Sequence, residues 1–367
     1  MADSMEHPGV HGGGDAPSAL TVTPGATAVP VFLGDFAAAF EGVVRVDGPG
    51  DLVRVVGEDA SSGLTGAVLR GYFGNGGGHC YLADTAGKPL TEVLTAVEAF
   101  TDVTILVPLG LWDGGADAAG ETARAVTAYA AAHRAMAILH ADRDHDARRA
   151  RDAAKAFELG LDEHAHAALY HPWLVPSGDG AEPVPPVGAV AGVWCRVDRE
   201  RGVWKAPANI AVEGIARPFL AVTDAEQDEA QPVNVLLEFP DRGTLVRGAR
   251  TLDTHDERWR HLPVRRLADM VERDLTRALA SVASEPNSPA TWERLRAAAD
   301  HHLHDLWQWG ALQGMKPQEA YFVQVGRDVT MTAEQVDAGE LVLRVGLAAI
   351  RPAEFVILEC TGTAGRA

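Results

Sequence analysis

Between Leu64 and Tyr170 short apolar runs alternate with longer stretches of helical pattern, and this alternation constrains the fold more than any other feature of the chain. Residues 64–72 carry Leu64, Val68 and Leu69 at near-helical spacing, and the glycines between Gly71 and Gly78 close that helix. Residues 80–83 then read as a strand, 90–100 as a helix and 103–107 as a short buried strand. The Ala-rich residues 121–132 predict a helix, 136–139 a strand, 144–159 a helix and 167–170 another extended run. Helices placed between short apolar strands imply a sheet covered by helices.

The flanking regions are less regular. Residues 1–20 are loop-like, with Pro8-Gly9, the run Gly12-Gly13-Gly14 and Asp15-Ala16-Pro17. They show neither a basic n-region nor an apolar h-region, so no secretory signal is expected there. A strand is expected over 29–33. Residues 172–186 hold five prolines and read as an exposed loop or domain edge. Residues 192–218 form a second Gly/Pro-rich region, and 224–231 a short acidic loop. Beyond a strand at 233–238 and a connection at 251–259, residues 264–282 predict a helix with Val264, Leu267, Val271, Leu275, Ala278 and Val282 on one face. Ser288 is placed as an N-cap with Pro289 at the first helical position. The helix that follows carries Trp292, Leu295, Ala299, Leu303, Leu306 and Trp307 and stops at Gly310 or Gly314. Strands are expected over 320–325, 341–347 and 354–359.

Composition excludes several classes. The chain has 367 residues, enough for two domains at roughly 150 residues each. No apolar run is long enough to span a bilayer. A net charge of −19 argues against a protein that coats nucleic acid, which needs clustered Lys and Arg. Cys80, Cys195 and Cys360 lie far apart, which suits neither a disulfide scaffold nor a zinc site and fits a reducing cytoplasm. Charge is uneven: residues 1–100 hold four basic and twelve acidic side chains, whereas arginines gather in 251–300.

Catalytic signals are weak. The glycines of 71–78 follow a helix and precede a strand, and no GK[ST] accompanies them, so they predict a helix stop rather than a phosphate cradle. His140, Asp142, Asp144 and His145 have metal-ligand chemistry, but a solvated loop with an Asp cap explains them as well. His301 and His304 share a helix face without completing an HExxH pattern. No GxSxG elbow is present. The pairs Asp35/Glu41 and Asp253/Asp256 have no special claim in so acidic a chain. No cofactor is expected. A metal-dependent cytoplasmic enzyme using the 140–145 loop stands as the alternative class.

The second half carries a stronger signal. Val193-Trp194-Cys195-Arg196-Val197-Asp198 followed by Gly202-Val203-Trp204-Lys205-Ala206-Pro207-Ala208-Asn209 resembles the "D…G-x-W-x-A-P-A-N" segment of contractile tail sheath proteins. In the same order come Gly248-Ala249-Arg250-Thr251-Leu252, Val264-Arg265-Arg266-Leu267, Glu285-Pro286-Asn287 with Thr291-Trp292, and Leu306-Trp307 with Gly310-Ala311-Leu312 and Gly314. Glu319-Ala320-Tyr321-Phe322-Val323, Thr330-Met331-Thr332, Asp337-Ala338-Gly339 and Pro352-Ala353-Glu354-Phe355-Val356 follow. Pro8-Gly9-Val10, the stretch from Thr27 to Gly34, and Tyr72-Phe73-x-Asn75-Gly76-Gly77 before Cys80-Tyr81 resemble the family more loosely.

This resemblance implies an α/β plus α+β sheath fold in two domains, a mixed sheet flanked by helices, with arms that add strands to neighbouring subunits. The expected division is an arm at 1–22, an outer α/β domain at 23–190, an inner domain at 191–352, and a C-terminal strand and arm at 353–367. The implied function is structural and non-enzymatic. Copies of the chain stack as hexameric rings around an inner tube, bounded by baseplate and cap proteins, and contract to expel the tube; neither nucleic acid nor membrane is a partner. Such a particle assembles in the cytoplasm. The candidate linking residues are Glu354, Phe355, Val356, Ile357 and Leu358 at one end, with an ordinary last strand within one subunit as the competing reading. The apolar run among them predicts a strand covered on both faces. At the other end, three glycines weaken the family's first strand, so the added strand lies later, at Ala19, Leu20, Thr21 and Val22, or the arm is loosened as in a specialised or assembly-deficient copy. Arg265, Arg266, Arg294 and Arg296 are the tube-facing candidates; solvation, or pairing with Glu272, Asp274 and Glu293, is the competing reading.

Overall fold

The alternation expected between Leu64 and Tyr170 is present in the computed structural model, which describes residues 20–36 and 40–365. A large mixed sheet contains β1 (Pro30–Gly34), β2 (Val43–Val46), β3 (Cys80–Asp84), β4 (Ile105–Pro108), β5 (Met136–His140), β6 (Ala167–His171), β8 (Ile210–Ala211), β10 (Asn234–Phe239) and β11 (Gly243–Val246). Its order is β2-β3-β1-β4-β5-β6-β10-β11-β8. The central strands from β3 to β10 are parallel, and antiparallel strands finish both sides. A short hairpin pairs β7 (Leu174–Pro176) with β9 (Ile215–Pro218). The third sheet has the order β12 (Tyr321–Val325), β13 (Glu340–Arg351), β14 (Glu354–Thr363), all antiparallel.

The helices are α1 (Pro49–Ser62), α2 (Leu64–Gly74), α3 (Leu90–Val97), α4 (Gly115–Ala132), α5 (Ala147–Ala156), α6 (Leu161–Ala165), α7 (Val187–Arg201), α8 (Asp224–Glu229), α9 (Leu262–Ser281), α10 (Pro289–Gln308), α11 (Pro317–Ala320) and α12 (Ala333–Ala338). Parallel strands covered on both faces need continuous apolar runs, and β1, β4 and β5 are buried at every position. Val31, Leu33, Leu106, Leu139 and Leu169 point to one core, which includes Ala123 and Val126 of α4. Phe32, Leu82, Ile105, Ile138 and Tyr170 point to the other, beneath Tyr72 of α2 and Trp194 of α7.

Three expectations change. Residues 192–218 begin not as a Gly/Pro-rich connection but inside α7, a helix buried on almost every side. Its glycines serve contact: a Cβ on Gly188 would lie 2.1 Å from the Val68 carbonyl oxygen, and one on Gly192 2.3 Å from that of Tyr72. The expected domain boundary at 190/191 falls within this helix, and β8, β10 and β11 belong to the large sheet. The acidic loop at 224–231 forms the short helix α8, because Thr223 and Glu226 cap it reciprocally. Residues 144–159 yield a shorter helix, since the Asp146 carboxylate accepts the Arg149 N–H at 2.8 Å and starts α5 there.

The C-terminal core forms where α9 and α10 pack on the third sheet, joining Leu267, Val271, Leu275, Leu303 and Leu306 to Leu343, Val345 and Leu358. No helix among the described residues is long and apolar enough to cross a membrane.

Candidate inter-subunit interface

The third sheet presents the clearest surface for a neighbour. Its two outer strands flank β13 with Phe322 opposite Gly346, Gly346 opposite Ile357, and Arg344 opposite Glu359. Strand geometry sends alternate side chains to opposite faces. Val356, Leu358 and Cys360 turn into the core, and Phe355, Ile357 and Glu359 turn outward. The expectation that both faces of Glu354 to Leu358 are covered is therefore corrected: Ile357 is 45% exposed, because the helices cover one side of the sheet only. On the open face the rings of Phe322 and Phe355 meet edge-on at 5.2 Å, and Arg344 pairs with Glu359 at 2.6 Å. Among the described residues β14 pairs with β13 alone. A ten-residue edge strand is a template for pairing with another chain.

At the other end, Ala19 lies outside the described residues, as do Pro8-Gly9-Val10 and the glycine run. Leu20, Thr21 and Val22 are in no strand; Leu20 and Val22 pack on the C-terminal core. Helix α9 then clasps the chain. The Gly25 N–H donates to Asp274 at 3.0 Å, and Arg277, Arg273 and Arg266 donate to the carbonyls of Thr23, Ala26 and Thr27. Residues 23–27 are thereby fixed on α9.

Two of the four candidate tube-facing arginines are not on the surface. Arg265 is 5% exposed; it pairs with Asp269 at 2.6 Å and stacks on Trp259 at 3.9 Å. Arg266 is 4% exposed; it forks onto both oxygens of Asp198 at 2.9 and 2.7 Å and stacks over Trp194. Both are corrected from surface groups to internal clamps. A guanidinium stays buried where a carboxylate and an aromatic face replace its hydration. Arg294 and Arg296 remain partly exposed, paired with Glu285 at 2.6 Å and Glu293 at 2.8 Å.

The partners of α9 come from across the chain. His166, fully buried, lies 3.2 Å from Asp269, and Arg134 meets Glu272 at 2.8 Å. Together they fasten α9 to the large sheet's helical layer. Despite its burial, Asp269 is held well below the usual carboxylate range by the opposing charges of Arg265 and His166. Sequence reading missed this seam; its one local trace is the Arg265/Asp269 spacing.

The family-like motifs have structural tasks. Trp194 and Asp198, one turn apart, hold Arg266, and the Trp194 indole donates to the Tyr170 hydroxyl at 3.1 Å. Asn75 joins α2 to the Glu213 backbone through both ends of its amide. Asn287 accepts the Trp292 indole N–H at 2.7 Å and donates to the Glu340 carbonyl at 2.8 Å.

The alternative centre at 140–145 does not gather. Among the described residues no group of three or more His, Cys, Asp or Glu is placed to hold a metal ion. His140 and His171 are each 1% exposed, and burial lowers both to pKa values of about 4. The thiols are equally unsuited to nucleophilic work: burial pushes Cys195 up to about 11 and Cys360 to about 12.

Comparison with known proteins agrees with this architecture. Residues 254–361 match the family model of the phage tail sheath C-terminal domain. The chain is 38% identical to the sheath of an extracellular contractile injection system, PVC, solved in the contracted state, covering 97% of this chain and 98% of that one with a TM-score of 0.81. It is 35% identical to the helical sheath of the anti-feeding prophage in its contracted state, covering 97% and 99% with a TM-score of 0.81. It is 34% identical to a chain in the six-fold symmetrised baseplate of the anti-feeding prophage, covering 97% and 98% with a TM-score of 0.75. No curated protein matches the chain. With identity above a third along almost its entire length and the same fold, this chain belongs to the structural, non-enzymatic family of phage tail and contractile injection system sheath proteins.

Proposed function

We propose that this chain is the sheath subunit of an extracellular-type contractile injection particle, stacking as hexameric rings around an inner tube and contracting to drive the tube out. The observation that carries this reading is the 38% identity, over 97% of the chain, to a sheath solved in its contracted state. The particle assembles in the cytoplasm, on a baseplate and beneath a cap.

The physical mechanism uses no cofactor. A contact between two different surfaces, repeated by a screw operation, builds a tube. Strand addition supplies the link: the free edge of β14 takes a strand from a neighbour, and the segment running through Ala19, Leu20, Thr21 and Val22 leads an arm outward from α9. Main-chain hydrogen bonds tolerate a change in the angle between subunits better than a packed side-chain interface does. Firing is then the collapse of a kinetically trapped extended lattice into a shorter, wider one. Arg294 and Arg296 remain as tube-facing groups.

A second reading, a specialised copy at the baseplate, draws on the glycine run of the N-terminal segment and on the likeness to a chain of the anti-feeding prophage baseplate. Negative-stain electron microscopy of the chain, alone and with its tube protein, tests both. Hollow or tube-filled striated cylinders are expected, and deletion of residues 1–18 abolishes them. Small monodisperse particles under both conditions would overturn the main-sheath reading.

A further inference from the structure

The Gly248-Ala249-Arg250 turn faces a cavity of about 370 Å³ that also borders the start of α9 and the end of β13. Arg247, Arg250 and His261 line it, and no carboxylate does. This is unexpected in a chain of net charge −19, where most other arginines meet an acid.

Arg250 and His261 are held in place by the backbone. Arg250 and His261 form an isolated antiparallel bridge. The flanking bonds run from the Thr251 N–H to the Arg260 carbonyl and from the Leu262 N–H to the Ala249 carbonyl, each 3.1 Å. That pattern makes Arg250 and His261 a non-hydrogen-bonded pair, the kind whose side chains lie closest, on one face. The Asn234 amide locks the turn: its oxygen accepts the Arg250 N–H at 2.8 Å, and its nitrogen donates to the Arg250 carbonyl at 2.8 Å. Gly248 permits this, since a Cβ there would sit 2.3 Å from the Asn234 oxygen. The Arg250 guanidinium has no hydrogen bond or ion pair among the described residues. Arg247 donates to the Asn209 side chain and lies over Phe239, but its buried Nε has no partner. Helix α9 adds the positive end of its dipole with no acid in its first turn. Burial, Arg250 and Arg260 together lower the His261 pKa.

We propose that this pocket is an oxyanion socket that receives a carboxylate from a second copy of the chain. The reading rests on the sheath assignment. Charge selects the occupant: residues 1–100 alone carry twelve acids against four bases, so every neighbouring copy presents carboxylates in excess. The bound carboxylate supplies the counter-charge that the Arg250 guanidinium lacks, accepts from the unpartnered Arg247 Nε, and locks one subunit's turn to the next.

The test has two arms, both on the full chain. In the first, inorganic phosphate is titrated into dispersed subunits and the His261 imidazole is followed by NMR, for wild type and Arg250→Ala. A saturable shift is expected in wild type, weakened about tenfold or more in the variant, the loss of one charge-assisted contact. In the second, sedimentation and microscopy measure sheath formed by wild type, Arg250→Lys and Arg250→Glu, with thermal midpoints to establish folding. Arg250→Glu is expected to fold and fail to assemble, whereas Arg250→Lys assembles. No saturable shift, or the same shift in Arg250→Ala, would overturn the socket. Normal assembly of Arg250→Glu would overturn the second copy as its occupant and leave a free anion. Failure of wild type itself to assemble would overturn the main-sheath reading instead, with the phosphate arm still deciding the pocket.

Discussion

Replacing Gly192 with Ala should destabilise the subunit, against the direction that helix propensity alone predicts. In an open helical site the change stabilises by about 1 kcal/mol. Here the new Cβ would stand 2.3 Å from the Tyr72 carbonyl oxygen and 2.9 Å from Asn75 Cβ. Ordinary contact begins at about 3.5 Å, so α7 must retreat by about 1 Å. Neither side can give easily. Tyr72 is fully buried with its ring 5.1 Å from Phe32, and Asn75 is tied to Glu213. Overpacking of this kind costs about 1–3 kcal/mol, and a backbone obstacle puts it at the upper end. Net of the propensity gain, a loss of about 2 kcal/mol is expected. Urea denaturation of dispersed subunits, read as a midpoint shift at constant m-value, measures it. Gly74→Ala is the control: its Cβ meets nothing within 4 Å, so it should be neutral or slightly stabilising. If Gly192→Ala gains stability alongside Gly74→Ala, the close approach of α2 and α7 is refuted.

Other expectations are equally specific. Asp269→Asn removes the nearer counter-charge of the buried Arg265, leaving only Glu272 at 4.0 Å, and should cost about 3–5 kcal/mol in the same assay; a loss under about 1 kcal/mol would mean the seam is solvated. His140 is buried neutral with a folded pKa of about 4, below its unfolded value of about 6.5, so the unfolded chain protonates first. Its stabilisation, present above pH 6.5, is lost as the pH falls towards 4, by about 3 kcal/mol. Stability curves of wild type and His140→Gln should diverge only below about pH 6.5, and parallel curves throughout would contradict this. Ile357→Glu, on the exposed face of β14, should change subunit stability by no more than about 0.5 kcal/mol yet prevent sedimentable sheath from forming. Unimpaired assembly would remove that face from the interface.

Much of the fold was legible because its signals are local. The apolar runs of β1, β4, β5 and β6 announce strands covered on both sides, and α9 and α10 show their core stripes and, for α10, a Ser-Pro start. Helix α7 was not legible: buried all round and carrying Gly188 and Gly192, it has no amphipathic period and resembles a loop. The outward face of β14 was misread for a related reason. A run of apolar residues looks the same whether one side or both are covered, and only the placement of α9 and α10 decides which. The arginines are the sharpest case. Arg265, Arg266, Arg294 and Arg296 are alike in sequence, yet two are clamps and two reach solvent. The partner that buries Arg266 lies 68 residues away, and that of Asp269 103 residues away. The sequence by itself determined the alternation of strands and helices, the absence of a catalytic motif and the family likeness, since each is written in neighbouring residues. Tertiary structure alone decided which charges are buried, which sheet edge is open and which helix the glycines allow to approach, because those depend on groups that meet only when distant segments pack.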